Sequence, residues 1–390
     1  MVALRNNFHA ERPMSNEPIS VKPVTTRAER RAFIDLPKRL YAGDPNWIPP
    51  LWRVQEELVG FRKHPFWEFS IGQTFIVSRG NRVIGRVLAV VNHRHNERYE
   101  EKRGFFGFFE CENDSGATNA LLDGAAAWLR SQGMESVRGP VNPSLNYEVG
   151  LLIDGFDTPP TFMMTYNPKY YETLLEGWGL KKTQDCYAYD VNTSMLRNVD
   201  PKIINVVKQV KERFNVTTRQ LNTKRMREDI KSFVDIYNRS LQNTWGYVPM
   251  SDAEVNHMAD ALKLLIVPEL SSLAEIDGKP VGVGFALPDF NPIIKKIGGR
   301  LFPFGWIRLL MGKRSQKRVR VISTNVVPEW QRWGIGLVIW MRVLPAGLDM
   351  GITEAEMSWV LESNHLSRGT VERGGGVLTK TYRIYDKDLV

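Results

Sequence analysis

Apolar positions along this chain fall into alternating runs and helical stripes, and their order occurs twice. In the first half, residues 27–40 read as a short helix-like segment that ends in the loop 41–50. Residues 74–78 and 83–91 are β-rich and flank Arg79-Gly80-Asn81, a hairpin signal, and 105–110 predicts a third strand. Residues 115–131 set Ala, Leu and Trp128 on one side of a helix, 137–139 reads as a short strand, and 170–176 as a helix stopped by Gly177 and Gly179. Residues 187–191 close the half as a strand. After a linking helix at 201–213 the order returns with strand 216–221 and helix 226–241, which has Ile230, Phe233, Val234 and Tyr237 on one face. Strands 273–276 and 281–287 surround Asp277-Gly278, and strand 319–327 leads to helix 334–350, which Pro345 should kink. Strand 354–360, helix 363–373 (ended by Gly374, Gly375 and Gly376) and strand 379–385 finish the chain.

Two copies of one strand–helix order predict a tandem α/β repeat, each unit a mixed, mostly antiparallel sheet flanked by helices. Length agrees, because 390 residues exceed one ordinary core. The units are expected at 18–195 and 196–390. The arm at 1–17 lacks the apolar core of a signal peptide and reads as disordered. Composition, 43% hydrophobic and 24% charged, is that of a soluble protein, and no apolar run reaches the roughly 18 residues of a membrane span. Cys111 and Cys186 are too few for a disulfide framework and suit a reducing cytoplasm.

Net charge is +9, and its position changes its meaning. Residues 295–320 hold Lys295, Lys296, Arg300, Arg308, Lys313, Arg314, Lys317, Arg318 and Arg320 and no acid, which equals the whole excess. A local patch predicts one anionic partner and not nucleic acid, since no recognition module accompanies it. Phe302, Phe304, Trp306, Ile307, Leu309, Leu310 and Met311 lie among these bases, as in a segment resting in an anionic lipid interface. That would put the protein on the inner face of the membrane. An insertion packed on the first domain, its bases solvated, fits the same residues.

The stretch richest in chemistry is Val326-Val327-Pro328-Glu329-Trp330-Gln331-Arg332-Trp333-Gly334-Ile335-Gly336. A strand ends, Pro328 stops it, and glycines lead into an apolar helix. Successive N–H groups and the helix dipole would cradle an anion, glycines admit a pyrophosphate, and Gln331 and Arg332 add donors. An ordinary strand–turn–helix junction carries the same pattern. His93-x-His95 reads as a surface strand end without the companions a metal site needs, so no metal is expected.

Gln331-x-x-Gly334-x-Gly336 after a strand resembles the coenzyme A pyrophosphate loop of the GCN5-related N-acetyltransferases (GNAT). Strand 355–360, Asn364, the helix and the Gly375 turn resemble the second GNAT motif at the matching distance. Residues 142–147 (Asn-Pro-Ser-Leu-Asn-Tyr), Glu148, Gly150-Leu151-Leu152, Tyr166-Asn167-Pro168 and Trp245-Gly246-Tyr247-Val248-Pro249 resemble a group of bacterial double-GNAT proteins that takes in ceramide-forming acyltransferases. The first half has Glu110-Cys111-Glu112-Asn113-Asp114 at the loop position, whose acids would repel pyrophosphate. The resemblance therefore implies acyl-CoA held by Val326, Val327, Gln331, Arg332, Trp333, Gly334, Ile335, Gly336 and Asn364, with the first half shaping the acceptor site.

The implied reaction is attack of an amine on a thioester, N–H groups near Val326 and Val327 polarising the carbonyl. Glu148, in an apolar, turn-rich stretch, is a candidate base with a raised pKa, although satisfying loop donors would explain it as well. Glu275 is a second candidate, since strand acids line this cleft in relatives. Where many GNATs carry a thiol-protonating Tyr stands Val371, which leaves Tyr382, Tyr385, Tyr166 or water. The expected acceptor is a lipidic amine such as a sphingoid base. A small-amine acetyltransferase, an aminoacyl transferase and a non-catalytic membrane- or nucleic-acid-binding protein stand as alternatives.

Overall fold

The computed structural model describes residues 17–193 and 200–389. The arm expected at 1–17, except Glu17, and the boundary expected at 195 lie outside the described residues. The first half runs β1 (Ile19–Pro23), α1 (Arg27–Leu40), α2 (Trp52–Leu58), β2 (Ser70–Arg79), β3 (Arg82–Asn92), α3 (His93–Tyr99), β4 (Arg103–Cys111), α4 (Ser115–Ser131) and β5 (Ser136–Gly139). A ribbon of β6 (Val141–Asn142) and β7 (Glu148–Val149), then β8 (Leu151–Asp154), α5 (Tyr171–Gly177) and β9 (Lys181–Asn192) complete it. The second half runs α6 (Pro201–Phe214), β10 (Val216–Arg219), α7 (Met226–Ser240), α8 (Asp252–Lys263), β11 (Ser271–Ile276), β12 (Lys279–Pro288), α9 (Asn291–Lys296) and α10 (Gly305–Gly312). It ends with β13 (Arg318–Val326), α11 (Ile335–Asp349), β14 (Glu354–Leu361), α12 (His365–Arg373) and β15 (Val377–Asp388).

These strands form one sheet in the order β1-β2-β3-β4-β5-β15-β9-β14-β13-β12-β11-β10, with β8 attached to β15. Pairing is antiparallel except between β4 and β5 and between β13 and β14. The closing strands are exchanged. β9, from the first half, pairs with β14, while β15, from the second, pairs with β5, and β9 and β15 form the seam. Each half's sheet is completed by the other.

Position in the sheet explains the sequence patterns. β3 is buried from Ile84 to Asn92 and is apolar almost throughout, as a strand covered on both faces must be. α11 runs through Pro345 as one helix. His93-x-His95, expected at a surface strand end, opens α3 instead. The Asn92 side chain accepts the His95 N–H at 3.1 Å and turns the chain into a helix, and His95 is buried with Nε2 2.6 Å from Glu101.

Candidate active site

β13 and β14 part company in the middle of the sheet. Their parallel pairing runs only from Arg318–Glu354 to Val321–Met357. Beyond that, each strand carries a bulge: Ile322 is passed over in the pairing with β12, and Ser358-Trp359 together oppose Ala188. Bulges bend strands, and here they open a gap between the two.

At the open end of the gap, a 3₁₀ turn (Pro328–Trp330) leads into α11. Gly334 is the N-cap of α11 at φ +79°, where a Cβ would be strained and would sit 3.3 Å from Val210 Cγ2. No side chain caps this helix, and the N–H groups of Gly334, Ile335 and Gly336 have no acceptor among the described residues. Unsatisfied donors and the helix dipole therefore converge on one spot. Arg332 is exposed beside it, Ile335 is buried and offers only its N–H, and Trp333 is held edge-on by Phe214 at 5.3 Å. Gln331 turns inward, its amide donating to Val326 O at 3.1 Å, so it fastens the loop to the strand. Asn364 caps α12, accepting the Ser367 N–H at 3.1 Å. The Val327 N–H is taken by Val281 O at 2.9 Å, so antiparallel alternation turns the Val326 N–H away from β12, toward the gap.

The first half diverges in the same way, with β4 and β5 paired only over Arg103–Phe105, but its gap is filled. Asn142 Oδ1 accepts the Phe108 N–H at 2.7 Å, and a Cβ on Gly107 would meet Val141 O at 1.7 Å, so β6 occupies the space. Asp114 caps α4, accepting the Ala117 N–H at 3.0 Å while pairing with Arg79 at 2.5 Å. Glu110 is enclosed by the hydroxyls of Tyr41 (2.9 Å) and Tyr171 (2.8 Å). The acids of this half serve its own structure. In the second half the helix N-terminus is left open.

Glu148 sits on the ribbon that plugs the first half. Burial raises its carboxyl pKa, partly offset by a hydrogen bond from Asn142 and the positive charge of Arg320. Arg320 is buried on β13 and donates to Ser358 Oγ at 2.8 Å and to the carbonyls of Phe162 and Met163 at 3.1 Å each. Ser358 donates in turn to Glu356 at 2.6 Å, and the fully buried Glu356 also receives Arg318 at 3.1 Å and the Thr161 hydroxyl. Tyr382 on β15 is fully buried, and its hydroxyl has no partner among the described residues. Burial and then the negative charge of Glu356 push its pKa well up, with Arg320 opposing. Glu148 and Tyr382 thus both feel the positive charge of Arg320. Glu275 does not join them: it pairs with Arg219 at 3.1 Å on β11, and β12 separates it from β13. Tyr166 is bonded to Asp44 at 2.9 Å and Tyr385 to Glu176 at 3.4 Å. Sequence reasoning missed Arg320, Ser358 and Glu356. Their only signal was a charge inside each of two apolar strands.

Of the remaining motif stretches, residues 146–147 stitch the halves together and Asn167 fastens the first half to itself. Asn146 donates to Val248 O at 2.9 Å, Tyr147 reaches Glu254 at 2.9 Å, and Asn167 clamps the backbone of Leu152 at 2.7 and 3.0 Å.

Comparison with known proteins follows this geometry. No family model matches the chain. The bacterial ceramide synthase of Caulobacter vibrioides is 35% identical over 384 residues, 96% of this chain and 99% of that protein. Protein YghO of Escherichia coli is 35% identical over 375 residues, 95% of each chain. Among solved structures, a tandem GNAT protein from the clavulanic acid biosynthesis pathway matches with a TM-score of 0.57 and 12% identity, covering 96% of this chain and 99% of its own. A GCN5-related N-acetyltransferase from Sphaerobacter thermophilus matches at 0.53 and 13% identity, covering 95% and 96%. At such identities these two speak to the fold alone.

Proposed function

The chain belongs to one family with the bacterial ceramide synthase of Caulobacter vibrioides and has the tandem GNAT fold, and on that premise we propose that it moves an acyl group from acyl-CoA to the amine of a lipid such as a sphingoid base. One observation carries the coenzyme assignment: of two equivalent helix N-termini, α4 is capped by Asp114 while α11 is left open. The pyrophosphate would rest on the N–H groups of Gly334, Ile335 and Gly336 with Arg332 beside it, and the pantetheine would lie in the gap between β13 and β14. The Val326 N–H would polarise the thioester carbonyl. The amine nitrogen attacks that carbon, Glu148 takes the amine proton, and the C–S bond breaks. Tyr382 gives its proton to the leaving thiolate, and water restores both groups. In this reading the second half binds the coenzyme and the first half, plugged by β6, shapes the acceptor site. The Caulobacter relative's name supports a sphingoid amine as acceptor.

The test is thermal-shift binding of palmitoyl-CoA and acetyl-CoA to wild type and Gly334→Glu, followed by acylation of sphinganine. Stabilisation of wild type alone, larger with palmitoyl-CoA, together with N-acylsphinganine product, is the expected result. A preference for acetyl-CoA with no lipid product would move the acceptor to small amines. No stabilisation by either thioester would remove the coenzyme assignment.

A further inference from the structure

The segment from α9 to α10 exposes large apolar side chains to an unusual degree. Phe302 is 66% exposed, Phe304 68%, Trp306 44% and Met311 80%, while Leu309 and Gly305 hold α10 down onto the core. Five of the nine bases counted in this stretch are engaged. Arg318 and Arg320 belong to the buried network, Lys313 reaches Leu264 O at 3.3 Å, Arg314 pairs with Glu269 at 2.6 Å, and Lys295 bonds to Pro45 O. Lys296, Arg300, Arg308 and Lys317 remain exposed, and no acid occurs between Asp289 and Glu329.

We propose that this face docks on an anionic bilayer, with Phe302, Phe304, Trp306 and Met311 entering the headgroup–acyl boundary and Lys296, Arg300 and Arg308 meeting lipid phosphates. The proposal rests on the reading of the acceptor as a lipid. A second copy of the chain is a poorer occupant, because a two-fold contact would set these cations against themselves. The apolar cluster under α10 also continues inward through Phe290 and Leu287 to Phe285, Phe233 and Ile322, the bulged residue at the lip of the gap. The docked face and the lip of the gap thus belong to one apolar cluster. The face is tied to the first half as well, since the Trp52 indole donates to Gly298 O at 2.8 Å.

Flotation of the full chain with vesicles of pure phosphatidylcholine, or with about 30% phosphatidylglycerol, tests this. Binding should require the anionic lipid. It should weaken at least about tenfold in Phe302→Ser/Phe304→Ser/Met311→Ser and in Lys296→Gln/Arg300→Gln/Arg308→Gln, each with a wild-type Tm. Palmitoyl-CoA binding without vesicles should be unchanged in both variants, which separates docking from the coenzyme site. Failure of wild type to float with anionic vesicles, or equal flotation of the apolar variant, overturns the proposal. So does a wild-type dimer that the apolar variant converts to monomer. Flotation as expected by a chain that binds no acyl-CoA would uphold docking and remove the acyltransferase reading instead.

Discussion

Arg320 Nε donates to Ser358 Oγ at 2.8 Å across the last residues before β13 and β14 separate. From Ser358 the contacts pass to Glu356, to Arg318 and, at 2.6 Å, to Asp190 on β9, so alternating charges cross three strands where the gap begins. Buried ions are tolerated only when paired and hydrogen-bonded, and removing one partner is far costlier than the pair's net worth. Arg320→Met should therefore destabilise the protein by about 3–5 kcal/mol. Ser358→Ala, which removes a neutral hydroxyl bonded to two charges but leaves both charges with other partners, should cost less, about 1.5–3 kcal/mol. Urea denaturation measures both, and near-equal losses would show that the guanidinium does not anchor the site.

The same arginine should tune catalysis. Glu148 acts as a base only when ionised, so kcat/KM must fall as pH drops through its raised pKa. Glu148→Gln should lower kcat/KM by about 10²–10⁴ and leave palmitoyl-CoA binding intact. Because the charge of Arg320 holds the Glu148 pKa down, Arg320→Met should move the acid limb of the pH–rate profile to higher pH. An unmoved limb would mean that Glu148 is not the titrating base.

Three other buried groups set stability in mild acid. His64 and His95 are each held down to about 4 by burial, and Asp289 is pushed up to about 6 by the same cause. A histidine with a lowered pKa binds fewer protons folded than unfolded, so its term makes stability rise with pH from about 4 to 6.5. A carboxyl with a raised pKa binds more protons folded, so its term makes stability fall as pH rises from 3.8 to about 6. The Asp289 term therefore takes back part of the climb in Tm that the two histidines give through this window. Asp289→Asn should steepen the climb, because the amide oxygen can still accept the Phe162 and Asn291 N–H groups that Oδ1 now takes. A climb no steeper than in wild type would exclude the Asp289 term.

How much of this was legible follows from how local each feature is. Residues 115–131 were read to their boundaries because the helix is long and periodic, and 27–40 because the loop that follows marks its end. α8 and α10 went unread: α8 buries little apolar surface, and α10 turns Trp306 and Met311 outward. The loop around Gly334 was legible because a phosphate cradle is built from consecutive backbone groups. The Arg320 network was not, because it assembles from β13, β14 and the carbonyls of Phe162 and Met163, far apart in the sequence. Nor was the exchange of β9 and β15, since a strand's alternation is the same whichever neighbour it pairs with.

The contrast between the two helix N-termini makes a prediction with opposite signs. Asp114→Ala removes both a cap and the partner of Arg79 and should cost at least about 1 kcal/mol of stability while leaving acyl-CoA affinity alone. Gly336→Asp places a carboxylate at the open end of α11, where the nearest atom to the new Cβ, Thr324 Cγ2, is 3.6 Å away. The helix dipole favours that charge by about 0.3–1 kcal/mol, so Tm should hold or rise. Acyl-CoA binding should nevertheless be lost, because the new anion stands where pyrophosphate would. Calorimetric binding beside Tm decides it, and retained affinity in Gly336→Asp would place the coenzyme elsewhere.

The exchanged strands make the halves interdependent. Residues 17–193 hold a full set of α/β elements, yet β5 and β8 find their partner in β15, and β9 lies between β14 and β15. Tyr382, Ile384 and Tyr385 of β15 are fully buried in the two apolar clusters built mainly by the first half. Expressed alone, the first half would lose that strand, leave β5, β8 and β9 without their partners and expose the apolar surface beneath, and unpaired edges invite association. The fragment should therefore lack a cooperative urea transition by circular dichroism. Joining residues 377–388 to it through a flexible linker, in place of 181–192, returns the partner of β5 and β8 and should restore the transition. Co-expressing 17–193 with 200–389 should likewise give a soluble complex, because the exchange works across a chain break as well as within one chain. Cooperative unfolding of the unaided fragment would show that its closing strand can fold back on its own half and that the exchange is not needed for folding.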